Sequence, residues 1–231
     1  MMLKMLQNLA VSKGIDISDY SALFSIINEE HLKHNGQWLA NQIGITQYSL
    51  KKTEVRHVAL FDNESSFKLE EKFFSYLNNY KRELLQLYKN VLFNVREYPR
   101  LNLAGRTKNE ESIINKLYKK SLEQNGAFPI NKVLNDLLGF RIIDDNLDKN
   151  LGQITSMLNK LKETNTMRII HKTRVNGNYK GYHIYFMGKD AKYFPVELQL
   201  WDNKDMEENF CSHEIYKKDY TTWPRIYQKG E

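Results

Sequence analysis

Cysteine occurs once in the 231 residues, at position 211, so no internal disulfide can form and a reducing, cytoplasmic setting is expected. Cys211 lies two residues before His213. No third group is in place to orient such a pair for nucleophilic work, and no Cys/His spacing reads as a zinc site. No apolar run approaches the roughly 20 residues that cross a bilayer, and Met1 to Met5 do not lead into a signal-peptide core. A membrane partner is therefore not expected. Internal repeats and low-complexity tracts are also lacking. What is present is an ordinary globular composition, 41% hydrophobic and 27% charged, long enough for one catalytic core and an accessory region. The net charge of +6 serves solubility and also suits a polyanion such as RNA. Tyrosines at 76, 80, 88, 118, 179 and 182 interleave with lysines and arginines, a mix that fits stacking plus phosphate contact, although most such rings belong in a core.

Hydrophobic spacing divides the chain at about residue 95. Residues 1 to about 60 read as short helices broken at Gly14, Asp19 and the Asn35-Gly36 pair, with His31, His34 and His57 as surface or capping residues. Leu69 to about Tyr98 reads as one long amphipathic helix, ended by Pro99. After it the spacing predicts a strand at Leu101 to Ala104, a helix from Asn109 to Glu123, and a strand at Phe140 to Ile143. A helix from Leu147 to Leu161 follows, then strands at Met167 to Arg174, Tyr182 to Met187 and Phe194 to Trp201, and a last helix from Asp205 to Lys217. The order implies an α+β fold, a mixed five-stranded sheet flanked by helices, with residues 1–95 as a helical accessory region and 96–231 as the core.

Three segments carry candidate chemistry. Gly105 to Lys116 places Arg106, Lys108, Ser112 and Lys116 on a strand exit and helix start, with Ser112 and Lys116 one turn apart. A cationic ridge of this kind suits a polyphosphate, and a solvated amphipathic helix start would look the same. Asn135 to Ile143 carries Asp136 into an apolar run, with Arg141 five residues on. The two would point apart unless the segment begins as a turn. Phe194 to Trp201 alternates Val196, Leu198 and Leu200 with Glu197, Gln199 and Trp201, a half-buried strand with an acid and an amide on its open face. Asp136 and Glu197 meet only if the fold brings them together. They would then form a hard-oxygen site for Mg2+.

Taken in order, these pieces resemble the synthetase domain of the RelA/SpoT-type pyrophosphokinases, which include the small alarmone synthetases. The resemblance covers roughly residues 96 to 220. It rests on Gly105-Arg106-x-Lys108-x-x-x-Ser112-Ile113-x-x-Lys116, Asp136-Leu137-x-x-x-Arg141, Gly181-Tyr182, Val196-Glu197-Leu198-Gln199 and His213-x-x-Tyr216-Lys217. It implies a nucleotidyltransferase-like core that moves the β,γ-diphosphate of ATP onto a ribose 3′-hydroxyl. By resemblance, Arg106 and Arg141 would stack on adenine, and Lys108, Ser112 and Lys116 would hold the donor phosphates. Asp136 and Glu197 would hold Mg2+, with Glu197 also the base for the acceptor hydroxyl. Tyr182 would stack on the acceptor base, and Gln199, His213, Lys172 and Arg174 would line the acceptor side.

This chain departs from the family where the acceptor would sit. The family's Glu-x-Gln-x-Arg-Thr reads Glu197-Leu198-Gln199-Leu200-Trp201-Asp202 here, and the histidine expected four residues past Tyr182 is Phe186. The basic stretch from His171 to Gly177 lacks the family's Pro-Lys element. Within these 231 residues the family's hydrolase domain is not expected, nor are its oligomerising helices after His213. These features resemble the toxic branch, which modifies the 3′-terminal adenosine of tRNA and is restrained by a protein antitoxin. GDP or GTP as acceptor, making the alarmone of the stringent response, is the alternative. A catalytically inactive nucleotide- or RNA-binding regulator is a further one.

Overall fold

The computed structural model describes residues 11–41, 47–61 and 67–212. Helix α1 (Ile17–Ala40) starts where the Asp16 carboxylate accepts from the amides of Ser18 and Asp19, while Asp19 accepts from the Asp16 amide, a reciprocal cap. It runs unbroken through Asn35-Gly36, where the sequence predicts a turn. Tyr20, Leu23, Phe24, Ile27, His31, His34 and Trp38 form one buried stripe at helical spacing, and Asn35 faces inward too, accepting from the Tyr80 hydroxyl at 3.0 Å. Burial of that stripe overrides the local turn preference. His31 and His34 are thus core residues rather than surface ones, whereas His57 does cap, its Nδ1 accepting from the Glu54 amide.

A one-turn helix α2 (Val55–Val58) and a small antiparallel pair, β1 (Ala59–Phe61) with β2 (Phe67–Leu69), precede the long helix α3 (Glu71–Val95). The Glu70 side chain caps α3, and Phe73, Tyr76, Leu77, Tyr80, Leu84, Leu87, Val91 and Val95 give it a continuous apolar face. The main sheet follows. Its strands β3 (Ala104–Thr107), β4 (Leu138–Asp144), β5 (Ile169–Asn176), β6 (Tyr179–Phe186) and β7 (Val196–Asp202) lie in the order β3-β4-β7-β6-β5. Only β4 and β7 are parallel. Between them run α4 (Glu110–Leu122), the single turn α5 (Ile130–Val133) and α6 (Leu147–Glu163), and residues 206–212 are helical.

The expected mixed five-stranded α+β fold is therefore present, with β3 starting three residues later than its sequence suggests. The β1–β2 pair was not expected. The polar stretch 62–66, the final turns of the predicted last helix and His213 lie outside the described residues. One face of the sheet is apolar: Phe140, Ile142, Tyr182, Ile184, Phe186, Val196, Leu198 and Leu200 join α1 and α3 in a single core. Phe24 meets Phe186 at 6.4 Å between ring centroids and Tyr80 meets Phe194 at 4.9 Å, so this core runs across residue 95 without a seam.

Candidate active site

The opposite face of the sheet carries the polar side chains, because successive residues of a strand point to opposite sides. Register sets them in rows. Ala104 pairs with Arg141 and Arg106 with Gly139; Gly139 pairs with Glu197 and Arg141 with Gln199; Gln199 pairs with His183, and Glu197 with Tyr185. Lys172 lies opposite His183, and Arg174 opposite Gly181. Arg106, Arg141, Glu197, Gln199, Lys172 and Arg174 thus share one face. Gly139 lies directly beside the acid: a Cβ there would stand 3.7 Å from a Glu197 carboxylate oxygen, an ordinary contact.

Asp136 occupies the turn ahead of β4, which settles how it and Arg141 serve the same side. The Lys108 backbone amide donates to the Leu137 carbonyl, placing the residue after β3 beside that turn. Lys108 Nζ then donates to one Asp136 oxygen at 2.6 Å and Lys116 Nζ to the other at 3.1 Å. Burial alone would push the Asp136 carboxyl up. Lys116 and Lys108 outweigh it and hold the group well below the usual carboxylate range. Ser112, one turn before Lys116, has its amide capped by the Asn109 side chain. Glu110 and Glu111 already sit in the first turn of α4, so its N-terminal dipole is offset by carboxylates and the cationic character comes from Lys108 and Lys116.

Glu197 is buried and fully engaged. One oxygen lies 2.8 Å from His183 Nδ1, and the other accepts from Gln199 Nε2 at 2.8 Å. Burial raises its pKa and the hydrogen bond from His183 lowers it. Asp136 opposes ionisation and Gln199 favours it, and the balance leaves Glu197 below its ordinary value. The strand holding it is buried on both faces rather than half-buried, since the polar face is itself covered. Arg141 donates through Nε and Nη2 to Gln199 Oε1, at 3.2 and 2.9 Å, with its guanidinium 3.5 Å above the Trp201 ring. Loss of hydration draws Arg141 down to about 9, and Arg106 adds like-charge repulsion, so the group is still charged at neutral pH.

Tyr182 does not belong to this face. It pairs with Leu200 inside the apolar core, its ring is 5% exposed, and its hydroxyl bonds His171 Nδ1 at 2.6 Å and Thr155 at 3.1 Å. The expectation of a stacking platform at Tyr182 is therefore corrected. The period of two sends residues 182, 184 and 186 to the core, which also explains why position 186 is phenylalanine. The residues on the polar face are Tyr179 and His183. They have the spacing of tyrosine and then histidine four residues later, starting three positions before Tyr182. Tyr179 Oη lies 2.6 Å from His183 Nε2, completing a row that runs Tyr179, His183, Glu197, Gln199, Arg141. Tyr185 also faces this side, its hydroxyl reached by Arg174. Among the described residues no cluster of three or more histidine, cysteine or acidic side chains is arranged for a metal, and no helix is long and apolar enough to cross a membrane.

Residues 105–221, just over half of the chain, match the family model described as the region found in RelA / SpoT proteins, and the chain belongs to that family. Two solved structures are similar to it, both of small alarmone synthetase 1 from Bacillus subtilis. One aligns with a TM-score of 0.43 at 19% identity, covering 69% of this chain and 88% of that one. The other, bound to AMPCPP, aligns with a TM-score of 0.36 at 19% identity, covering 68% and 88%. No curated protein matches.

Proposed function

We propose that the chain is an ATP-dependent pyrophosphokinase that transfers the β,γ-diphosphate of ATP to a ribose 3′-hydroxyl, the 3′-terminal adenosine of tRNA being its acceptor. The observation that carries this reading is the gathering, within the family region, of two arginines, the Lys108–Asp136–Lys116 cluster and the buried Glu197 along one sheet face. Charge grows on the transferred oxygens and the leaving AMP as the donor's α–β bridge breaks, and fixed cations there lower the barrier. Lys108, Ser112 and Lys116 bind the donor phosphates, the lysines exchanging Asp136 for phosphate oxygens. Arg106 and Arg141 hold the adenine. Glu197, ionised at neutral pH, takes the proton from the acceptor hydroxyl as that oxygen attacks the β-phosphorus. His183 and Gln199 orient the carboxylate, and Tyr179 and Tyr185 border the acceptor side with Lys172 and Arg174.

Mg2+ takes one or two carboxylates and completes its shell with water and phosphate oxygens, so the acids of the site are its candidate ligands. Asp136 and Glu197 would hold it. The ion would supply further neutralisation of the diphosphate.

The tRNA reading is supported by the net charge of +6 and by Lys172 and Arg174 on the exposed edge strand β5. A guanine nucleotide is the second reading, favoured by the Tyr179–His183 pair, which restores the family's acceptor spacing. Incubation with γ-labelled ATP and Mg2+, offering tRNA, GDP, GTP and ADP in parallel, tests both. Label on tRNA that vanishes when its 3′ end is oxidised supports the first reading, and label on GDP or GTP the second. No transfer to any of them overturns the enzyme and leaves a nucleotide- or RNA-binding regulator. In the tRNA case, co-purification with a neighbouring small protein that suppresses labelling would reveal an antitoxin.

A further inference from the structure

Trp201 is one of the least exposed side chains in the molecule, yet it stands on the polar face, two residues beyond Gln199. Its surroundings are arranged around the indole. Its Nε1–H donates to Tyr179 Oη at 3.2 Å, and the Phe210 ring meets it edge-on at 5.3 Å. Gly181 leaves space for it: a Cβ at that position would lie 3.0 Å from Trp201 Cδ1 and 2.9 Å from Tyr179 Oη. Against this indole lies the Arg141 guanidinium, 3.5 Å from the ring centroid and held in the plane by two hydrogen bonds to Gln199. Being fully buried, the indole cannot itself stack on a nucleobase. It acts through the arginine.

We infer that Trp201 is a positioning residue that sets the Arg141 guanidinium as a flat plate for the donor purine and ties it, through Tyr179 and His183, to the acceptor-side carboxylate. A guanidinium on a long flexible stem loses less freedom on meeting a base when an aromatic face and a carbonyl oxygen already fix its plane. An arginine at 201, the residue the family resemblance leads one to expect, would instead place like charge beside Arg141. Here the indole supplies the attraction that the cation lacks.

The inference rests on the donor-site reading above, and a binding experiment separates the two. Affinities for ATP and for inorganic tripolyphosphate are measured by calorimetry in Mg2+ buffer on the full chain, with thermal unfolding of each variant in parallel. Trp201→Leu is expected to weaken ATP about tenfold, the order of a lost desolvated cation–π contact, and to leave tripolyphosphate affinity unchanged. Trp201→Phe, which keeps a flat ring, should recover most of the ATP affinity. Gly181→Ala, which displaces the indole without removing it, should reproduce the selective loss and covers the case in which Trp201→Leu fails to fold. Wild-type affinity for ATP in folded Trp201→Leu overturns the inference and leaves the donor site standing. Equal loss of ATP and tripolyphosphate in both Trp201→Leu and Gly181→Ala also overturns it, reducing Trp201 to a structural residue. Failure of the wild-type protein to bind ATP overturns the donor-site reading, and the inference with it.

Discussion

The two faces of the five-stranded sheet are built from the same strands and differ in almost every physical respect. On one side Phe140, Leu198, Leu200, Ile184 and Tyr182 merge with α1 and α3 in one hydrophobic cluster. On the other, an unbroken chain of hydrogen bonds runs from half-buried Arg141 through the buried Gln199, Glu197, His183 and Tyr179. The first face gains stability from area removed from water. The second spends stability on desolvated charges and recovers it by pairing each of them. The difference shows that burial alone does not mark a core residue here. The partner of each buried polar group does.

The sharpest way to break the comparison is to change one residue on each face. Glu197→Gln should lower the transfer rate by about 10²–10⁴, the worth of a positioned base, while urea unfolding stays close to that of the wild type. An unchanged rate would remove Glu197 from the chemistry. Its neighbour Leu198, pointing the opposite way, should behave in reverse. Leu198→Ala is expected to cost about 2–5 kcal/mol in urea unfolding and to leave the ATP affinity of the folded protein intact.

Acid separates the two sides by pH. On the apolar side, His31 is held neutral by burial, its pKa pulled down to about 4, with Nε2 against the Phe194 carbonyl. The unfolded chain takes up that proton near pH 6.5 and the folded one does not. Stability should therefore fall as pH drops from about 6.5 towards 4, at up to about 1.4 kcal/mol per unit. His31→Gln should flatten this slope in pH-dependent unfolding, and a retained slope would rule out His31 as its source. Asp136 works in a lower window. Its folded pKa is depressed, so its contribution is complete above the usual carboxylate value near 4 and is lost only below it. Asp136→Asn should lower stability across the neutral range and flatten the acid limb in the same pH-dependent unfolding.

The smallest effect expected is the most diagnostic for the acceptor side. Tyr182→Phe removes hydrogen bonds to His171 and Thr155 and should cost about 0.5–1.5 kcal/mol, with acceptor KM unchanged. Tyr179→Leu should raise acceptor KM and spare ATP affinity. Interchanged results would place the Tyr182 hydroxyl, and not Tyr179, on the acceptor side.

Much of this was legible before the fold was known. The alternation at Val196 to Leu200 and the apolar runs of β4 and β6 announce the strands, and the ordered pieces from Arg106 to Gln199 announce the family. What escaped was register. Period two is strict, and a motif anchored on the Tyr of Gly181-Tyr182 instead of on Tyr179 sends its members to the wrong face. The long helix α1 escaped for a different reason. Asn35-Gly36 has the local signature of a turn, and the packing of His34 and Trp38 against Tyr80 of α3, with His31 on the Phe194 carbonyl, which no local window contains, keeps the helix intact. The Lys108–Asp136–Lys116 cluster needed both, a turn and a register, before its members could meet.

The core that crosses residue 95 has a consequence for how such a protein can diversify. Recombination at that point would separate Phe24 from Phe186 and Tyr80 from Phe194, leaving both halves with an unfilled apolar face. Residues 17–40 and 71–95 therefore form one packing unit with the sheet, and a cut at residue 95 would not give two independently stable halves.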